Sequence, residues 1–106
     1  MNKSIIIEPE ELAVVQCILR EGLPDGSKVW VFGSRAGGRV KPWSDLDLLI
    51  EGPAPLSMGT LARLSDAFDE SLLPWTVDLV DAHVSPEFAN RIRPHAASLQ
   101  IESAPA

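Results

Sequence analysis

Asp45 and Asp47 stand one residue apart in the segment Ser44-Asp45-Leu46-Asp47-Leu48-Leu49-Ile50. Side chains alternate across an extended strand, so the two carboxylates share a face, while Leu46, Leu48 and Ile50 point the other way, into a core. Carboxylates held side by side raise each other's proton affinity unless a cation lies between them. The pair therefore reads as a place for a hard cation, and Mg²⁺ is the one that also takes substrate phosphates as ligands. The plain alternative is a solvated edge face. A third carboxylate, Asp78, sits in Thr76-Val77-Asp78-Leu79-Val80-Asp81 between apolar neighbours, where a lone charge is costly. If that segment is a strand beside the first, Asp78 completes a three-carboxylate cluster. Otherwise it belongs to a structural ion pair. Asp81 falls on the opposite face, at the strand end, and reads as a solvated terminus.

Ahead of the pair lies Gly33-Ser34-Arg35-Ala36-Gly37-Gly38. A glycine after a strand lets backbone approach a ligand closely. The amides of such a turn favour phosphate, the Ser34 hydroxyl can bond a phosphate oxygen, and Arg35 can add charge-assisted bonds or serve as a surface charge. Arg39 and Lys41 read as solvated loop charges. Trp43 could stack on a base, but packing is the better reading, as it is for Trp30 and Trp75. His83 and His95 have no neighbours at metal-ligand spacing.

The elements that must carry these residues can be read along the chain. Glu8 to Glu21 reads as a helix, with Pro9 in its first turn and Leu12, Val15 and Leu19 at helical spacing. Lys28 to Phe32 and Asp45 to Glu51 read as strands. Leu56 to Leu73 reads as a helix with a core stripe of Leu61, Leu64, Phe68 and Leu72, stopped by Pro74. Thr76 to Asp81 is a third strand, and Ser85-Pro86-Glu87 starts a last helix that fails near Pro94. The order helix–strand–strand–helix–strand–helix makes an α/β fold, a small mixed β-sheet flanked by helices.

The whole chain sets the bounds. Its 106 residues suit a single domain, 1–106, with the tail after Ile101 frayed. No apolar run approaches the roughly 20 residues that span a bilayer, and Met1 to Glu10 lacks a secretory pattern, so a cytoplasmic location is expected. Cys17 alone can form neither an internal disulfide nor a zinc site, and reads as a buried helix residue. The net charge of −6 argues against a nucleic-acid-gripping surface.

The run Gly33-Ser34, ten residues, then Asp45-Leu46-Asp47, with Asp78 on a later strand, resembles the nucleotidyltransferase superfamily with the DNA polymerase β-like fold. Within it the segments VFGSRAGG and SDLDLLIEG are similar to the minimal nucleotidyltransferase (MNT) group. The likeness is close from Lys28 to Asp81. It implies two Mg²⁺ ions between the triphosphate and Asp45, Asp47 and Asp78, with Asp78 nearest the catalytic ion. It implies that Gly33 and Ser34 hold the β- and γ-phosphates, and that AMP passes from ATP to a hydroxyl. In that group the partner is often a helical HEPN protein, a toxin adenylylated on tyrosine by an MNT antitoxin. The alternative is a binding module that neutralises a partner by burial, its nucleotide site vestigial or regulatory.

Overall fold

The computed structural model describes residues 5–37, 40–41 and 43–101. Gly38, Arg39 and Pro42 of the central loop, and the tail after Ile101, lie outside the described residues. The elements run α1 (Pro9–Gly22), β1 (Lys28–Phe32), a 3₁₀ turn (Gly33–Arg35), β2 (Leu46–Glu51), α2 (Met58–Glu70), β3 (Val77–Asp81), α3 (Pro86–Ile92), a second 3₁₀ turn (Arg93–His95) and β4 (Ala97–Leu99).

The strands form one mixed sheet in the order β3-β2-β1-β4. β1 pairs antiparallel with β2 and with β4, and β2 pairs parallel with β3 across the α2 crossover. β4 was not foreseen: beyond Pro94, Ala97 and Leu99 turn inward, opposite Val31 and Val29. Its three residues carry too little alternation to announce a strand.

Period-2 alternation sorts β1 and β2 into two faces. Val29, Val31, Leu46, Leu48 and Ile50 are buried against Val15 and Leu19 of α1 and Leu64 and Phe68 of α2, and this is the main core. On the other face, Trp30, Phe32, Leu49 and Val80 pack with Ala82 and with Ala89 and Ile92 of the short α3. One face is thus covered by two long helices and the other by seven residues of helix. The site lies on the thinly covered face.

Helix ends follow local chemistry. Pro9 opens α1, and the Glu11 side chain accepts the Glu8 amide at 3.1 Å. Ser57 caps α2 by accepting the Thr60 amide at 3.1 Å. At the other end the Ser71 hydroxyl donates to the Phe68 carbonyl at 2.6 Å, and the helix stops at Glu70. Leu72 therefore leaves the expected stripe and is 99% exposed. Cys17 corrects another expectation, since it lies on the exposed side of α1. Among the described residues no helix is long and apolar enough to cross a membrane.

Candidate active site

The turn after β1 is built around a carboxylate. Gly33 has φ +74°, a conformation that side chains strain, and a Cβ placed there would collide with Oδ2 of Asp47. Glycine is thus required twice, for its dihedral and for its contact. The strand pairing explains the proximity, because Phe32 lies opposite Asp47. On the other side of β2, Asp47 lies beside Asp78 of β3. Gly33, Asp47 and Asp78 form a row across the C-terminal end of β1 and the starts of β2 and β3.

Asp47 is half-buried, and its carboxyl is pushed up to about 6. Burial is the largest cause, followed by a side-chain hydrogen bond with Asp78 and by the charges of Asp78 and Asp45. Asp78 is exposed on β3, an edge strand of the sheet. The desolvation argued for it from its apolar neighbours is absent. Those neighbours face the core or the second cluster instead.

Asp45 lies one residue before β2 and is exposed. Its Oδ1 accepts a hydrogen bond from the Thr76 hydroxyl at 2.6 Å, and the Leu46 amide donates to the Thr76 carbonyl at 3.0 Å. Asp47 feels the charges of both Asp78 and Asp45. Even so, among the described residues no three His, Cys, Asp or Glu side chains are gathered closely enough to enclose an ion. An oxygen-only donor set in which Asp47 is pushed up by its carboxylate neighbours has the chemistry a divalent cation relieves.

Ser34 sits half-buried in the 3₁₀ turn, directly after the glycine seated on Asp47. Arg35 is 4% exposed. Its Nε donates to the Ser44 carbonyl at 2.8 Å, its Nη1 to the Ile6 carbonyl at 3.0 Å, and its guanidinium stacks 4.6 Å from the Trp75 ring. The Ile6 amide donates back to the Arg35 carbonyl at 2.8 Å. The surface-charge reading of this arginine is corrected by its burial. It ties the glycine-serine turn to the residue before Asp45. A concavity of about 650 Å³ beside it, lined by Ile5, Ile7, Arg35 and Trp75 among others, does not include Asp45, Asp47 or Asp78.

Trp43, read as packing, is 68% exposed, with the Lys41 ammonium 5.6 Å from its ring. Trp75 is buried as expected, while Trp30 is half-buried beneath the Arg93 guanidinium at 5.0 Å. Asp81, read as a solvated terminus, is buried and accepts the amides of Leu56 at 2.8 Å and His83 at 2.9 Å. His83 Nε2 lies 2.7 Å from the Gly52 carbonyl, so the ring fastens the loop after β2. Thr76 escaped the sequence reading. Its signal was its place just before the strand that carries Asp78.

A small mixed sheet with a glycine-serine turn seated on paired aspartates has the makings of a phosphoryl- or nucleotidyl-transfer domain. Residues 14–105 match the model of the nucleotidyltransferase domain family, and the chain belongs to that family and is a nucleotidyltransferase. It is 50% identical over 88 residues to the probable protein adenylyltransferase MntA of Haemophilus influenzae, a match covering 82% of this chain and 76% of that protein. Its fold is similar to a crystal structure described as a toxin-antitoxin with AMP-PNP. The TM-score is 0.68 at 22% identity, over 87% of this chain and 74% of that one.

Proposed function

We propose that the chain is a cytoplasmic protein adenylyltransferase that moves AMP from ATP to a tyrosine hydroxyl of a HEPN-type helical toxin, and so acts as its antitoxin. In this reading residues 1–106 work as one minimal domain. The observation that carries it is the seating of Gly33 on Asp47, itself paired in register with Asp78, which supports a glycine turn that meets phosphate beside the carboxylates. A relative at 50% identity described as a probable protein adenylyltransferase, and a fold neighbour described as a toxin-antitoxin with AMP-PNP, support the choice of donor and acceptor.

Asp45, Asp47 and Asp78 would hold Mg²⁺, with two ions fitting the carboxylate count. When bound, Mg²⁺ supplies positive charge to the triphosphate and to the attacking oxygen. The remaining work belongs to the protein. Gly33 and Ser34 offer amides and a hydroxyl to the β- and γ-phosphates. Asp78, the exposed carboxylate of the row, faces the acceptor and takes the hydroxyl proton. The acceptor oxygen bonds to the α-phosphorus, the α–β bridge breaks, and pyrophosphate leaves. Arg35 holds the turn and Ser44 in register, so its contribution is position. No covalent enzyme intermediate is required.

The test is to mix the chain, Mg–ATP and a HEPN-type partner and to record intact masses. The partner should gain one or more AMP units with matching release of pyrophosphate from ATP, and an Asp45→Asn, Asp47→Asn double variant should abolish both. A tight complex with no mass gain would instead establish neutralisation by burial, for which the net charge of −6 suits a basic partner.

A further inference from the structure

Asp45 has an unusual problem for a ligand: it is exposed. It lies ahead of β2, so neither burial nor the strand's pleat restricts its rotamer. The contact that restrains it is polar and comes from the neighbouring strand. Thr76, the residue before β3, donates its hydroxyl to Asp45 Oδ1 at 2.6 Å, a short charge-assisted bond. The Thr76 carbonyl meanwhile takes the Leu46 amide at 3.0 Å, so backbone and side chain together lock the starts of two parallel strands. Threonine is suited to the task, because β-branching limits its own χ1.

We propose that Thr76 is a positioning residue for divalent-cation binding: it holds Asp45 through Oδ1 and so fixes the direction in which that carboxylate would meet an ion. The inference rests on the metal-dependent reading above. Partners that orient a metal ligand from behind commonly set affinity about as strongly as a weak ligand does. Here the partner also explains how a ligand outside the strand keeps its direction.

The test uses Mn²⁺ as the probe, titrated calorimetrically into the full chain without nucleotide. Thr76→Val keeps shape and β-propensity and removes the donor. It should raise the half-saturating Mn²⁺ concentration about tenfold with the melting temperature unchanged, while Thr76→Ser stays near wild type. Thr76→Ala should repeat the valine result. In an Asp45→Ala background Thr76→Val should add little, because the carboxylate that Thr76 orients is then gone. Thr76→Val binding Mn²⁺ like wild type while Asp45→Ala weakens it would overturn the proposal, and so would fully additive losses. Wild type binding no Mn²⁺ at all would remove the metal-dependent reading itself, and this inference with it.

Discussion

Asp78 and Asp81 lie on one five-residue strand, three positions apart, and meet opposite surroundings. Asp81 is buried at the strand end and receives two amides, from Leu56 and His83. Asp78 is exposed at the edge of the sheet, beside Asp47, with its hydrogen bond running to another carboxylate. Asp81 has been given donors that satisfy its charge. Asp78 has been given an acceptor that opposes it. A carboxylate with two amide donors stabilises the loops that supply them, whereas one set against a second carboxylate costs stability until something cationic or a proton arrives. The first pattern is what structure asks of an aspartate, and the second is what a ligand site asks.

The comparison can be broken most sharply by exchanging the expected losses. Asp78→Asn should leave the melting temperature at or above that of wild type, since it removes a repulsion, while lowering AMP transfer by roughly a hundredfold or more. Unfolding of that variant would make Asp78 a structural residue after all. Asp81→Ala should do the reverse. It strands two part-buried amides and should cost about 1–2 kcal/mol in denaturant unfolding, with turnover per folded molecule nearly unchanged. Activity that falls with Asp81→Ala at temperatures where the variant is folded would tie the loop after β2 to the reaction.

What could be read from the residues alone depended on how local the determining contact is. The inward set of Leu46, Leu48 and Ile50 follows from alternation, and their near-complete burial agrees with it. The glycine requirement at position 33 was visible as a glycine after a strand, although its cause, the Asp47 carboxylate, needed the strand pairing. The exposures of Asp78 and Asp81 were read the wrong way round because alternation names a face but not its cover. Asp78 lies exposed on an edge strand, and the loop before α2 closes over Asp81. Arg35 and Trp43 exchanged places for a similar reason. Long polar side chains can be buried when backbone carbonyls such as those of Ser44 and Ile6 receive them, and no local pattern announces that. Leu72 left the α2 stripe because Ser71 captured the Phe68 carbonyl two residues before the pattern ran out.

The smallest expected effect concerns the proton between the two strands. The Asp47 carboxyl is raised from 3.8 to about 6, first by burial, then by Asp78 and Asp45. Between those values the folded chain holds a proton more tightly than the unfolded chain does. The group's stabilising contribution is complete below about pH 4 and is lost as pH rises through 6. Asp47 is only half-buried and solvent screens its neighbours, so the loss should stay under about 1 kcal/mol. It is best read as a difference. The melting temperature of wild type minus that of Asp47→Asn should fall between pH 4 and pH 7 without divalent cation, because the amide has no proton to lose. Asp78→Asn should shrink that slope without erasing it, since burial is the larger cause and remains. Mg²⁺ should flatten it in wild type, because a cation replaces the proton as the relief of repulsion. Parallel melting curves for wild type and Asp47→Asn across this range would mean that the two strands hold no shared proton, and the contrast between Asp78 and Asp81 would then reduce to exposure alone.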